Sequence, residues 1–95
     1  MELTVTDVPD EGRYEARAAD RVLGLAAYRR HGDRVVFTHT EVDPDAGGSG
    51  VGSTLVRGAL DDVRAHGLRV VPRCAFVRAW IERHPDYADL VDASA

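Results

Sequence analysis

The chain has 95 residues, 44% of them hydrophobic and 29% charged, which predicts one compact domain over residues 1–95. All 12 basic residues are Arg, so the lack of Lys excludes a Walker-A phosphate site, a Schiff base and any other lysine chemistry. The net charge of −4 argues against broad contact with nucleic acid or an anionic membrane. No apolar run is long enough to span a membrane, and the single Cys fits a cytoplasmic location.

The first half of the chain has the pattern of antiparallel strands. β-Branched and aromatic residues predict strands over Arg13–Ala18, Val22–Arg30 and Val35–Val42, with a short edge strand at Leu3–Val5. The segment HGDR, from His31 to Arg34, is typical of a hairpin turn between two such strands.

The second half begins with a glycine-rich loop, Asp43 to Gly52, after which the spacing of the apolar residues changes from that of a strand to that of a helix. Apolar residues recur at helical spacing from Val51 to Val63, and Gly67 follows as a stop signal. The remaining predicted elements are a strand over Leu68–Val71, a helix over Ala75–Arg83 with Phe76 and Trp80 in the core, and a tail over residues 86–95.

A strand, a glycine loop, a helix and a strand together form a βαβ unit, so the strands at 35–42 and 68–71 should be parallel. Both strands then end at the same edge of the sheet, where open α/β sheets bind their ligands. The glycine loop and Cys74 both lie at that edge, which makes it the predicted functional site.

The four glycines between residues 47 and 52 are suited to a phosphate site, because successive backbone amides can point into one concavity at a helix N-terminus. Ser53 stands where a Walker-A sequence has its Lys, and the spacing does not fit a dinucleotide fingerprint. The alternative is a flexible connection whose glycines serve only the turn. Asp43 and Asp45 would repel an anion unless they turn away from it.

The segment HTEVDPDAGGSGVGSTL, which ends at Leu55, resembles the acetyl-CoA pyrophosphate motif of the GNAT N-acetyltransferases, Gln/Arg-x-x-Gly-x-Gly/Ala. The later segment RVVPRCAFVRAWIERHPDY resembles the signature of a short, single-domain branch of that superfamily. Together they cover roughly residues 13 to 91. The resemblance implies a minimal GNAT-like α/β (α+β) fold, with antiparallel strands followed by a βαβ unit and a C-terminal helix.

The same resemblance implies an N-acetyltransferase that uses acetyl-CoA as its donor, needs no metal, and acts on an amine of a small molecule or a protein. The positions implied to bind the cofactor are Val42, Gly47, Gly48, Ser49, Gly50, Val51, Gly52 and Ser53. The alternative functions are a non-catalytic acyl-CoA-binding or sensing module and an interaction protein with a degenerate loop.

Cys74 and His39 are the candidate catalytic residues. Cys74 starts a helix beside Arg73, where the helix dipole and guanidinium groups favour a thiolate. It is a candidate acetyl-cysteine nucleophile, a lining residue of the pantetheine groove, or a small buried hydrophobe. His39 and Glu41 share one strand face, and His39 is the stronger candidate for the general base. Alternatively, His39 is only a polar residue on a solvated face of the sheet.

The acceptor cannot be read from a motif, but the charge distribution gives one expectation. Residues 1–47 hold ten acidic residues against six Arg, which mildly favours a cationic acceptor.

The glycine loop lacks the basic residues that help to bind phosphate in the resembled motif, because Gly47 and Ser49 occupy those positions. We therefore expect weak CoA binding and predict that Gly47→Arg tightens it. One added charged hydrogen bond contributes about 1.5–3 kcal/mol when well formed, and less when exposed. Titration calorimetry with CoA checks this; a tight dissociation constant that Gly47→Arg leaves unchanged contradicts it.

Overall fold

A computed structural model of the chain describes residues 2–46 and 50–92. In these residues it contains five strands and two α-helices: β1 (Thr4–Val8), β2 (Arg13–Ala18), β3 (Arg21–His31), β4 (Arg34–Val42), α1 (Val51–Ala65), β5 (Arg69–Pro72) and α2 (Ala75–Arg83). Short 3-10 helices lie at Pro9–Glu11, Pro44–Ala46 and Pro85–Leu90. The element order confirms the predicted mixed α/β fold.

The strands form one sheet in the order β1-β2-β3-β4-β5. The first four strands are antiparallel, and β4 and β5 are parallel, as the βαβ pattern predicts. The predicted edge strand at Leu3–Val5 is too short, because the pairing with β2 continues from Thr4 to Val8. The last strand is shifted by one residue and includes Pro72.

Helix α1 packs its apolar stripe on one face of the sheet. Its fully buried side chains are Val51, Leu55, Val56, Ala59, Leu60 and Val63, each 1% exposed or less. Burial of such a side chain contributes about 1.5–3 kcal/mol to stability. Trp80 of α2 is buried beside α1, and its indole Nε1 donates a hydrogen bond to Ser53 Oγ at 2.9 Å.

Two tyrosines on this face connect neighbouring elements through their hydroxyl groups. Tyr14 donates to Asp62 of α1 at 2.7 Å, and Tyr28 donates to Asp7 of β1 at 2.5 Å. Burial, together with these hydrogen bonds to carboxylates, raises the pKa of both hydroxyls above the ordinary value. Both tyrosines therefore stay protonated and act as fixed donors.

The C-terminal tail covers the edge of β5. Tyr87 and Leu90 are buried, Val91 forms a parallel bridge with Val70, and the amide of Asp92 donates to the carbonyl of Val70 at 2.8 Å. This contact satisfies backbone groups that would otherwise be exposed at a sheet edge. The C-terminal tail that the sequence predicts after α2 is thus packed against the fold as far as Asp92.

The opposite face of the sheet carries a buried carboxylate. Glu15 is only 2% exposed and forms ion pairs with Arg17 at 2.8 Å and Arg13 at 2.7 Å. Hydrogen bonds from Arg17 and Arg13 hold the pKa of Glu15 below its ordinary value. The two guanidinium groups thus compensate the charge of the buried carboxylate along β2.

We predict that Glu15→Gln reduces the loss of stability in acid. Because the pKa of Glu15 is lowered by folding, its contribution is complete above the unfolded pKa, about 4.3, and is lost as the pH falls through the folded pKa. The free energy of unfolding in urea, compared at neutral and acidic pH, should change less in the variant. Glu82→Gln, at an exposed position of α2, controls for the loss of one carboxyl group. An unaltered pH dependence in Glu15→Gln contradicts the assignment.

Candidate active site

The two parallel strands stay paired only over their first four residues. Their register runs from Arg34 opposite Arg69 to Phe37 opposite Pro72. The amide of Cys74 then donates to the carbonyl of Phe37 at 2.9 Å, and the chain turns into α2. The rest of β4, up to Val42, pairs with β3 but not with β5. A wedge therefore opens between the strands, bounded by one backbone edge of β4.

A β-bulge lies where the strands separate. Phe37 is opposite Tyr28 and His39 is opposite Ala27, so Thr38 is an extra residue on β4. Its hydroxyl lies 3.4 Å from the carbonyl of Ala27. Bulges redirect strands and side chains and are common beside active sites.

Cys74 lies at this point, immediately before α2. Its side chain is 8% exposed, and Sγ is 3.3 Å from Thr40 Oγ1, where either atom can be the donor. Thr40 was not predicted as a site residue. The sequence could have indicated its position: Thr40 lies between His39 and Glu41, and the alternation of side chains along a strand places it on the face opposite to theirs.

His39 and Glu41 lie on the other face of β4, and their contact confirms that they share that face. His39 Nε2 is 3.0 Å from Glu41 Oε2, and their side chains are 62% and 64% exposed. The structure therefore does not bring the two candidate catalytic residues together: Thr40 lies beside Cys74, whereas His39 lies beside Glu41. Glu41 can accept a hydrogen bond from His39 and so orient its ring.

The N-terminus of α1 opens at the same edge. Gly50 is the N-cap residue, with φ of +79° that favours glycine, and no side chain of the described residues caps the helix. The amides of Val51, Gly52 and Ser53 lie in the first turn, where they have no intrahelical acceptor, and this turn holds no acidic residue. These donors and the helix dipole suit an anion. The predicted positions Gly47, Gly48 and Ser49 lie outside the described residues.

The structure shows where the loop carboxylate Asp43 is directed. Its Oδ2 forms an ion pair with Arg21 at 3.0 Å, and its Oδ1 accepts the amide of Asp45 at 2.9 Å. Asp43 is therefore engaged within its own turn and with β3.

Val42, Gly52 and Phe76 meet beside this helix terminus. A Cβ built on Gly52 would lie 2.7 Å from Phe76 Cζ and 3.4 Å from Val42 Cγ2. The prediction that Phe76 belongs to the core is wrong: it is 41% exposed, because it lies one turn before Trp80 at the open end of α2. An exposed phenyl ring beside a predicted ligand loop is a candidate wall for the ligand.

His84, the C-cap residue of α2, has a structural role. Its Nδ1 is 2.7 Å from the carbonyl of Trp80, and its ring stacks on Trp80 with centroids 3.8 Å apart. Within residues 2–46 and 50–92, no group of three or more His, Cys, Asp or Glu side chains could hold a metal ion. None of the helices in the described ranges is long and apolar enough to cross a membrane.

Comparison with known families matches residues 13–90 to the GCN5-related N-acetyltransferase family. The chain belongs to this GNAT family. The match covers β2 to β5, the glycine loop, both helices and the tail as far as Leu90, so it includes the whole wedge between β4 and β5. Family membership supports acetyl transfer as the general chemistry.

Solved structures share the GNAT fold of this chain. A GCN5-like protein from Staphylococcus aureus has a TM-score of 0.72 and 23% identity, over 95% of this chain and 88% of its own. The ribosomal-protein-S18-alanine N-acetyltransferase from Escherichia coli has a TM-score of 0.63 and 19% identity, over 76% of this chain and 50% of its own. A putative acetyltransferase of the GNAT family from Desulfovibrio desulfuricans has a TM-score of 0.57 and 24% identity, over 76% of this chain and 52% of its own. This GNAT chain thus spans about half the length of the last two. No curated protein matches it.

We predict that Gly52→Ala weakens CoA binding to this GNAT chain with little effect on its stability. Its Cβ would displace the exposed ring of Phe76, while a gain in helix propensity of up to about 1 kcal/mol offsets the crowding. Calorimetry with CoA and urea unfolding measure the two effects.

The matched control is Gly58→Ala, on the same helix but away from the loop. Its Cβ would lie 2.7 Å from Val5 Cβ, which cannot rotate away, so it should lower the free energy of unfolding by about 1–3 kcal/mol. CoA affinity should be retained in this variant at temperatures where it is folded. If Gly52→Ala kept its affinity for CoA and folded Gly58→Ala lost it, the placement of CoA at this helix terminus would be contradicted.

Proposed function

We propose that the protein is an acetyl-CoA-dependent N-acetyltransferase. The observation that carries this proposal is the wedge between β4 and β5, which opens beside the uncapped N-terminus of α1. A linear cofactor with a phosphate group at one end and a thioester at the other fits such a site, because both features lie at one edge of the sheet.

The chain supplies the groups that acetyl-CoA would need. Backbone amides from Val51 to Ser53 would bind the pyrophosphate, together with the glycine loop before them. The unpaired edge of β4 beyond Phe37 would hydrogen-bond the amide groups of pantetheine, as an added strand does. Phe76 and Val42 would pack against its apolar parts. When bound, acetyl-CoA supplies an activated acetyl group as a thioester.

Transfer to an amine forms one C–N bond and breaks one C–S bond, with CoA thiolate as the leaving group and one proton lost from the amine. His39 is suited to accept that proton, with Glu41 at 3.0 Å to stabilise the resulting imidazolium. Cys74 lies on the other face of β4, beside Thr40, so it is suited to line the groove. We therefore favour direct attack by the amine over an acetyl-cysteine route.

The test is transfer of label from acetyl-CoA to a panel of amines, with thermal unfolding measured in the presence of CoA. We expect stabilisation by CoA and transfer to at least one amine. His39→Gln should lower kcat about 10²-fold or more, the lower range for loss of a general base, with CoA stabilisation retained. Cys74→Ser should retain most of the activity. Absence of both stabilisation and transfer would overturn the proposal.

A non-catalytic acyl-CoA-binding module is the second candidate. His39 and Cys74 lie on opposite faces of β4, and no described His or carboxylate is hydrogen-bonded to the thiol. This arrangement favours the binding module, because the thiol has no general base beside it. It predicts stabilisation by CoA without turnover on any amine.

A further inference from the structure

The sheet face that carries His39 also gathers cationic side chains. Along β4, Arg34 lies opposite His31 on one side and Arg69 on the other, and the next residue on this face, Val36, lies opposite Arg29 and Val71. Arg34 and Arg69 are directly opposite one another, and like charges in that arrangement destabilise a sheet. Their clustering therefore calls for a reason other than folding.

A cavity of about 670 Å³ lies over these rows. Its cationic lining consists of Arg29, Arg34 and Arg73, with His31 beside them, and its apolar floor is formed by Val36 and Val71. None of its lining residues is acidic, although the chain as a whole has a net charge of −4. The positive charge is thus concentrated at this place.

Few counter-charges within the described residues reach the cavity. Arg34 Nε is 3.8 Å from Asp92 Oδ2, which is a long contact. Asp33, in the turn before Arg34, is exposed and is not among the residues that line the cavity. On the same sheet face, Glu15 and Glu41 are paired with Arg13, Arg17 and His39. In residues 2–46 and 50–92, Arg29 and Arg73 are exposed and form no side-chain hydrogen bond or ion pair.

The cavity adjoins the proposed site of transfer. Thr38, the bulged residue of β4, belongs to its lining and directly precedes His39. Arg73 belongs to the lining and directly precedes Cys74. From Val36 to His39 the strand advances roughly 10 Å, a length that a small molecule spans.

We propose that this cavity is the acceptor site and that the acceptor is a small amine carrying a carboxylate or a phosphate group. Arg29 and Arg73 hold the anionic group, since a guanidinium fork matches both anions in a bidentate manner. The amine then points along β4 toward His39. A cavity of this size fits a small molecule. The inference rests on the proposed transferase function.

This conclusion differs from the expectation of a cationic acceptor. That expectation summed the charges of residues 1–47, whereas the fold places Arg29 and Arg34 of the same segment on one face with Arg69 and Arg73. Charge at the site, rather than charge along the chain, selects the acceptor.

The first experiment measures binding without acetyl-CoA. 4-Aminobutyrate and phosphoethanolamine are titrated into labelled protein, and backbone amide shifts are followed by NMR. 4-Aminobutanamide and ethanolamine serve as the matched amines without the anionic group. We expect the amides around Arg29, Val36 and Arg73 to shift with the anionic compounds only. Equal shifts with the matched compounds, or none with either anion, would overturn the proposal. The two anions distinguish a carboxylate from a phosphate preference.

The second experiment compares Arg29→Gln/Arg73→Gln with Arg30→Gln. Arg30 is the neighbour of Arg29 on β3, and its Nη2 donates to the carbonyl of Gly32 at 3.0 Å, so its loss removes a charge without touching the cavity. In the double variant the KM for an anionic amine should rise about tenfold or more, since charged hydrogen bonds at a partly exposed site are lost. The KM for amines without an anionic group and the Kd for CoA should stay within about twofold of the values for the unmodified protein. All three values should stay within the same range in Arg30→Gln.

The outcomes separate this inference from the proposed function. Transfer without preference for anionic amines overturns the acceptor assignment and leaves the transferase intact. Anion binding at these arginines with no transfer to any amine contradicts the transferase and also the acceptor role of the cavity. Faster transfer to an acidic peptide than to any small anionic amine would overturn the choice of a small molecule.

Discussion

The hydrogen bond from the amide of Cys74 to the carbonyl of Phe37 is the last link between two parallel strands, and the candidate site depends on the ladder ending there. Pro72 has no amide proton to extend the pairing, and α2 begins at Ala75, so the chain leaves the sheet. β4 can continue to Val42 because β3 still pairs with it on its other side. One strand thus continues, with a bulge at Thr38, while its neighbour departs, and beyond Phe37 one edge of β4 has no strand partner among the described residues.

The features around this wedge divide between the two faces of β4. Toward α1 lie Thr40 and Cys74, and at the edge above them the first-turn amides of that helix, which have no intrahelical acceptor, lie beside Phe76. On the other face lie His39, Glu41 and the cavity lined by arginines. In the proposed reaction this division separates the donor from the acceptor: the donor enters along the backbone edge, and the acceptor approaches from the face that carries His39. Positioning of the two reactants then contributes most of the rate.

Arginine has two different uses on that second face. Around Glu15, two arginines neutralise one buried carboxylate, which is a structural arrangement. Around Val36 and Val71, Arg34 faces Arg69 and has only a long contact with Asp92, and the described residues hold no carboxylate partner for Arg29 or Arg73. The same residue type therefore stabilises the sheet at one place and lowers its stability at the other. A sequence without Lys can do both, because the guanidinium group remains charged and can donate several hydrogen bonds at once.

The sequence by itself determined the strand order around the βαβ unit, helix α2 over Ala75–Arg83, and the shared face of His39 and Glu41, because hydrophobic period, proline positions and alternation are local properties. Only the tertiary structure decided that Phe76 is exposed, that Thr40 lies beside Cys74 and that His39 does not. These facts depend on where β5 leaves β4 and on which helix turn meets the sheet, and both are set by packing between residues distant in the chain. The summed charge of the first half concealed the cationic cavity for the same reason. Pairing of strands, not adjacency in sequence, brings Arg29, Arg34 and Arg73 together.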